Sequence, residues 1–136
     1  MLHLHNKFKH LALLITCMIF FTSMSLKILQ DDWVVPDQFK NMKNPYANAE
    51  DDDEIGKDLY AVHCRSCHGK TGLGDGSKAF ELDSDVKDFT ANSFKSQPDG
   101  AVYFKMIMGR NEMPSFDKKI KSEEDRWMLV NYIKGF

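Results

Sequence analysis

Three stretches of the chain carry apolar residues at the spacing of an amphipathic helix. They run from about residue 54 to 63, from Pro98 to Gly109, and onward from Ser122, an N-capping residue that three acids follow. No stretch alternates apolar and polar residues as a strand would. The pattern predicts an all-α domain of three to four helices joined by long loops. The apolar positions at helical spacing are Ile55, Leu59 and Val62, then Val102, Met106 and Ile107, and finally Trp127, Val130 and Ile133.

The first 25 residues are predicted to be a targeting segment and are set apart from the fold. Lys7 and Lys9 precede an apolar run, and the small residues Ser23 and Ser25 follow it. Over residues 11–26 this run falls short of the ~20 apolar residues that a membrane span usually needs. A cleaved signal peptide is therefore preferred to an uncleaved N-terminal membrane anchor. Both place the rest of the chain outside the cytoplasmic membrane.

Other features of the N-terminal part leave alternatives open. Cys17 raises the alternative of a lipid-modified cysteine, although Thr16 precedes it instead of a smaller residue. Residues 26–53 show no sustained periodicity, so we predict an extended arm that lies on the domain or links it to a membrane. The acids at 51–54 suit a helix N-terminus, and a docking patch for a basic partner is the alternative. Membrane association through residues 11–29 also stays open.

Length and charge limit the function classes. With 136 residues and 43% apolar content, the chain suits a single domain. Residues 1–30 contain three lysines and no acid, so the exported part keeps 15 basic and 20 acidic side chains. This acidic balance argues against nucleic acid as a partner.

Cys64 and Cys67 stand three positions apart and His68 follows directly. A redox dithiol expects a βαβ setting, which the helical pattern does not provide. A zinc site needs a second pair of soft ligands, but no later cysteine exists and His63 is the one histidine nearby. Attachment of a c-type haem uses the whole motif, because the two thiols bond to the haem vinyl groups and His68 becomes the proximal iron ligand. We therefore predict one covalently bound haem c with its iron.

A glycine-rich loop, GKTGLGDG, follows the motif at residues 69–76. A phosphate-binding loop would need a strand before it and GK[ST] at its end, and both are missing. The glycines are predicted instead to let the chain leave His68 without a Cβ colliding with the haem ring.

A methionine is expected as the ligand on the other face of the iron. Met113 lies in GRNEMPSF, directly before Pro114, in a loop whose backbone can press a thioether onto a metal. Met113 is therefore predicted to be the distal axial ligand. Ligation by His and Met raises the reduction potential and leaves no open position for a substrate, which favours an electron carrier over an enzyme. The other methionines of the exported chain are Met42 in the arm and Met106, Met108 and Met128 in predicted helices, where core packing is expected.

From about residue 55 to 136 the chain resembles the class I c-type cytochromes, in particular the bacterial single-haem type with CHGxxGxGDG and MPxF motifs. The stretches IGKDLYAVHCRSCHG, GLGDG, DGAVYFKMIMGRNEMPSF and SEEDRWMLVNYIKGF follow in the family's order. The resemblance implies a small cytochrome c fold over residues 54–136, with long loops around the haem. It also implies that the first helix crosses the last at Gly56 and Tyr60, opposite Tyr132.

The resemblance leaves details of the haem surroundings open. Relatives often carry proline where Ser77 stands, and the carbonyl there is a candidate acceptor for the second ring nitrogen of His68. Several phenylalanines are candidates for the haem walls, and several lysines for steering an acidic partner to the haem edge. The phenylalanines are Phe80, Phe89, Phe94, Phe104 and Phe116, and the lysines are Lys57, Lys70, Lys78 and Lys118.

The predicted function is transfer of single electrons between redox protein partners, a donor complex and a terminal acceptor. The protein would be periplasmic or attached to the outer face of the cytoplasmic membrane. An alternative with the same chemistry is a membrane-tethered haem subunit of a larger respiratory complex. An enzyme such as a peroxidase would need an open iron site and usually a distal acid or base, and His63 is the one spare histidine of the exported part.

Overall fold

Six α-helices and one 3-10 turn make up the regular structure of residues 33–136, the part of the chain that the computed structural model describes. The predicted signal peptide or membrane anchor, including Cys17, lies outside these residues. The same part contains no strand, only an isolated bridge between Arg110 and Met113. The all-α prediction is therefore confirmed. In chain order the helices are α1 Asp37–Lys40, α2 Ile55–His63, α3 Arg65–His68, α4 Asn92–Lys95, α5 Asp99–Met108 and α6 Glu123–Lys134, and the 3-10 turn is Ala79–Glu81.

The three longest helices, α2, α5 and α6, form at the three predicted stretches. Asp51 lies four residues before the first residue of α2. Its carboxylate accepts hydrogen bonds from the backbone N–H groups of Ile55 and Gly56, both at 2.8 Å. α6 follows Ser122, whose Oγ accepts the N–H of Asp125 at 3.2 Å. These contacts satisfy donors that have no partner inside the helix. The helices α1, α3 and α4 were not predicted, because a single turn is too short to show a hydrophobic period.

The crossing of α2 and α6 is the largest contact between two elements of the fold. A Cβ added to Gly56 would lie 2.9 Å from the carbonyl carbon of Met128 and 2.9 Å from Cβ of Tyr132. The rings of Tyr60 and Tyr132 pack 5.4 Å apart at the same place. The implied crossing is therefore confirmed. It belongs to one core cluster, whose buried members are Tyr60, Cys64, Phe89, Phe94, Val102, Tyr103, Met106, Phe116, Ile120, Trp127, Leu129, Val130 and Ile133.

Two expectations about core packing are wrong. Val62 is 75% exposed, because α2 turns the face with Gly56 and Tyr60 toward α6 and leaves Val62 outside. Met108, the last residue of α5, is 55% exposed, whereas Met106 and Met128 are buried as expected. The apolar spacing located both helices correctly but did not identify every inward-facing residue.

Part of the predicted arm packs onto the helices. The ring of Phe39 in α1 lies 4.7 Å from that of Phe104 in α5. Asn131 of α6 accepts a hydrogen bond from Asn44 at 2.6 Å and donates one to the carbonyl of Tyr46 at 2.8 Å. The compact unit of the structure accordingly runs from residue 35 to 136. The division into an arm over 26–53 and a domain from residue 54 stays a prediction.

Candidate functional site

The end of α2 carries the two cysteines and the histidine on a single helical turn. The N–H of Cys64 donates to the carbonyl of Tyr60 at 2.9 Å, which closes α2. The carbonyl of Cys64 then accepts the N–H groups of Cys67 and His68, at 3.1 and 2.9 Å, which forms α3. Neither cysteine is in a disulfide. Two thiols and an imidazole are therefore fixed within one turn.

The environment of Cys64 does not favour thiol redox chemistry. Cys64 is 8% exposed, and its burial, with a smaller contribution from Cys67, raises the pKa of its thiol to about 12. Reactive redox cysteines have lowered pKa values, because the thiolate is the nucleophile. Within residues 33–136, no three His, Cys, Asp or Glu side chains come together as a metal-ion site.

The imidazole of His68 is held by an aromatic ring and a backbone carbonyl. It stacks on Phe89, with the ring centroids 4.2 Å apart and the planes 18° from parallel. Its Nδ1 lies 3.4 Å from the carbonyl oxygen of Lys87, and burial lowers the pKa of the ring. A neutral ring that donates from Nδ1 keeps the lone pair of Nε2 for a metal. The structure thus brings the carbonyl of Lys87 to His68, where the sequence suggested that of Ser77.

Gly69 turns the chain away from His68 in a conformation that side chains rarely adopt. Its φ is +82° and its ψ is 173°, and the Asp75 carboxylate occupies the space where a Cβ would lie. The buried hydroxyl of Tyr60 donates to the carbonyl of Gly69 at 2.7 Å. The glycine was expected to spare the haem ring a collision. The structure adds that Asp75 takes up the space beside it.

Replacing Tyr60 with phenylalanine is expected to lower the free energy of unfolding by about 1–2 kcal/mol, because the carbonyl of Gly69 loses a buried partner. Thermal denaturation followed by circular dichroism would measure the change. Tyr132→Phe is the matched control, since its ring packs at the same helix crossing but makes no such bond to Gly69. An equal loss in both variants would contradict the role given to the Tyr60 hydroxyl.

Met113 lies in the loop that joins α5 to α6. Its side chain is partly buried and packs against the core cluster that contains Cys64 and Phe89. The backbone groups of Arg110 and Met113 exchange two hydrogen bonds, at 2.8 and 2.9 Å, which close a tight turn. The structure therefore places Met113 on the cluster that also holds the first cysteine and the ring beside His68.

The residues after Met113 fasten this loop to α5. Ser115 donates from its Oγ to the carbonyl of Ile107 at 2.5 Å, and the N–H of Phe116 donates to the carbonyl of Met106 at 3.2 Å. The Phe116 ring is 3% exposed and lies edge-on to His63 at 5.7 Å. The loop that carries Met113 therefore also contacts His63, the last residue of α2.

The candidate phenylalanines and lysines divide into several groups. Phe89, Phe94 and Phe116 are buried in the core cluster, and Phe104 packs on the arm. Phe80 is 87% exposed on the 3-10 turn, so the structure does not place it with the others.

Among the candidate lysines, Lys57 forms an exposed ion pair with Glu54 at 2.7 Å. The remaining candidates, Lys70, Lys78 and Lys118, are exposed.

The donor set fits a c-type haem. Two free thiols stand on one helical turn, and the imidazole beside them has its Nδ1 directed to a carbonyl. The thioether of Met113 packs against the same core cluster. Thiols, imidazole and thioether are the groups that attach a c-type haem and ligate its iron.

Sequence reasoning did not identify two parts of this site. The carbonyl of Lys87 has no signal in the sequence, because every residue carries one. Arg126 reaches the loop after Met113 with its guanidinium, although its place in α6 was consistent with an ordinary surface charge. The one hint in the sequence was that Arg126 directly precedes Trp127, an apolar position of the predicted helix.

Two comparisons with known proteins agree on the kind of protein this chain resembles. Residues 51–133 match the model of a family described as cytochrome c oxidase, cbb3-type, subunit III. Cytochrome c-555 of Methylococcus capsulatus is 37% identical to this chain over 73 residues, which are 53% of this chain and 51% of that relative. The chain therefore spans about half the length of the curated relative that it matches.

Proposed function

The chain belongs to the c-type cytochrome family described as cytochrome c oxidase, cbb3-type, subunit III, and on this premise we propose that Cys64 and Cys67 hold its haem and that His68 and Met113 ligate the iron. The protein is a class I c-type cytochrome, carries covalently bound haem c and acts as an electron carrier. The observation that supports these four residues is their placement. One helical turn carries three of them, and the fourth packs on the adjoining core cluster.

Each of these side chains has a separate task in electron transfer. When bound, the haem supplies a one-electron couple of ferrous and ferric iron. The thiols of Cys64 and Cys67 would attach it, and the carbonyl of Lys87, 3.4 Å from Nδ1 of His68, would leave the lone pair of Nε2 for the metal. The thioether of Met113 is a soft donor that would favour the ferrous state and occupy the position that other ligands could take.

We place the electron donor and acceptor among redox proteins outside the cytoplasmic membrane. Cytochromes of this kind are typically exported, and the predicted targeting segment agrees with that location. Within residues 33–136 no helix reaches the length and hydropathy of a membrane span. We infer that this protein is an electron carrier with no catalytic activity of its own, because two axial ligands would leave the iron no open position.

A second candidate function is that of a haem subunit fixed in a larger respiratory complex. The description of the matching family, which names an oxidase subunit, favours it. The chemistry at the iron would be the same, but the partner would be permanent. Retention on membranes after a salt wash would support this candidate, and recovery in the soluble periplasmic fraction would contradict it.

Replacing Met113 with alanine is expected to abolish the weak near-infrared band that sulfur-ligated ferric iron gives. The reduction potential should fall by on the order of 0.1 V or more, since axial ligands tune haem potentials over about 0.8 V. Met106→Ala is the matched control, because Met106 is a buried core residue on the preceding helix. Absorption spectra and redox titration would measure both variants.

The intact mass of the purified protein supplies the complementary test. The wild-type chain should carry the mass of one haem after denaturation, and a variant with both Cys64→Ser and Cys67→Ser should lack it. If the near-infrared band survives in Met113→Ala, Met113 is not the distal ligand. If the haem dissociates when the wild-type protein is denatured, Cys64 and Cys67 do not bind it covalently.

A further inference from the structure

Arg126, in the first turn of α6, reaches back to the loop that follows Met113. Its side chain is 14% exposed, although it carries a full charge. Nε donates to the carbonyl of Ile120 at 2.7 Å, and Nη2 donates to the carbonyl of Asp117 at 2.7 Å. A weaker contact from Nη2 reaches the carbonyl of Lys121 at 3.4 Å. One guanidinium thus donates hydrogen bonds to three carbonyls of a single loop.

The same guanidinium also joins this loop to its neighbours. Nη2 lies 3.3 Å from a carboxylate oxygen of Asp117, which adds an ion pair to the backbone contact. Nη1 donates to the hydroxyl of Tyr103 in α5 at 3.3 Å. Tyr103 is itself buried and stacks on Trp127, with their centroids 4.2 Å apart. Arg126 therefore holds the loop against both helices that flank it.

The loop that Arg126 holds is continuous with the proposed ligand. Phe116 and Ile120, only 3% and 2% exposed, pack in the core cluster, and Ile120 N–H donates to the carbonyl of Phe116 at 2.9 Å. The turn at Arg110 fixes the chain before Met113. The bond from Ser115 to α5 and the Arg126 guanidinium both fix the chain after it.

From these contacts we propose that Arg126 is a positioning residue for Met113. It keeps the loop after Met113 closed, so that the thioether stays on the iron and competing ligands stay off it. The proposal rests on Met113 being the distal ligand. Charge-assisted hydrogen bonds are the stronger ones in proteins, and the carbonyls of Asp117, Ile120 and Lys121 would lose such a partner together. Opening of the loop should then become more frequent without unfolding of the domain.

The test is the affinity of the ferric holoprotein for added imidazole, which binds the iron only after the distal ligand has left. Arg126→Met should raise this affinity at least about tenfold, the change expected from the loss of one charge-assisted hydrogen bond. Arg126→Lys keeps the charge but not the fork of donors, so its affinity should lie between those of the wild type and Arg126→Met. If Arg126→Met yields no holoprotein, the imidazole affinity of Arg126→Lys is compared with that of the wild type, and an unchanged affinity contradicts the proposal.

Two controls separate positioning from general effects. Lys118→Met removes one positive charge from the same loop and should leave the affinity within twofold of the wild type. Asn44→Ala breaks a hydrogen bond to Asn131 on the other side of α6 and should lower stability without raising the affinity. An unchanged affinity in the Arg126 variants, or an equal rise in Asn44→Ala, would overturn the proposal.

Met113→Ala distinguishes a failure of this inference from a failure of the proposed ligand. If Met113 is the ligand, this variant binds imidazole much more tightly than the wild type, because nothing competes. If it binds imidazole as the wild type does, the ligand assignment fails, whatever the Arg126 variants do. If it binds tightly while Arg126→Met matches the wild type, only the positioning role fails.

Discussion

Replacing Gly56 with alanine should lower the free energy of unfolding of the holoprotein by about 2 kcal/mol or more. A Cβ at this position would meet the carbonyl group of Met128 and Cβ of Tyr132 on the facing helix. The nearest of these atoms belong to the backbone of α6, so they cannot rotate away. Alanine favours a helix over glycine by up to about 1 kcal/mol, and the steric cost must exceed this gain.

A loss of this size should lower the melting temperature by roughly 10 °C in a domain of about 100 residues. Thermal denaturation with the haem attached would measure it. Gly135→Ala is the matched control, since its φ is −82° and the nearest atom to an added Cβ, the carbonyl oxygen of Tyr132, lies 3.3 Å away. We expect Gly135→Ala to change stability by less than about 0.5 kcal/mol. Equal stability of both variants would show that α2 and α6 are not in close contact at Gly56.

The second large effect is expected from Gly109→Ala, at the end of α5. Gly109 has φ +66° and ψ 166°, a conformation found almost only in glycine. An added Cβ would lie 2.5 Å from the carbonyl carbon of Pro114 and 2.6 Å from the carbonyl oxygen of Met113. We expect a loss of about 3 kcal/mol, from backbone strain and the collision together. The near-infrared sulfur band should weaken as well, because the collision displaces the loop that carries Met113.

The control for this prediction is Ser115→Ala in the same loop. It removes the bond from Ser115 to the carbonyl of Ile107 but introduces no collision. Its cost should stay near 1 kcal/mol, with the band retained. Denaturation and absorption spectra of the two variants would be compared at the same pH. A Gly109→Ala protein with wild-type stability and a full band would show that Met113 does not depend on this turn.

Patterns that are local in the chain gave the most reliable predictions. The three long helices followed from apolar spacing and from Ser122, because a helix is closed by contacts between residues three and four positions apart. Cys64, Cys67 and His68 were grouped by their spacing in the motif, and the structure added that one helical turn carries them. Met113 was selected as the distal ligand by its place before Pro114, which is also local information, and this assignment stays a prediction.

Other parts of the candidate site arise only when distant segments meet. The family resemblance implied that Gly56 and Tyr60 face α6, but the apolar spacing of α2 did not show that Val62 is left outside. Packing between helices decided this, and neither helix carries the information alone.

By itself, the sequence determined that this chain is an all-α c-type cytochrome whose two cysteines stand three positions apart beside a histidine. Only the tertiary structure decided which carbonyl meets Nδ1 of His68, and how Arg126 joins the loop after Met113 to two helices. The physical reason is the same in both cases. Backbone carbonyls are identical at every position, so a bond from a side chain to a distant carbonyl leaves no pattern in the sequence.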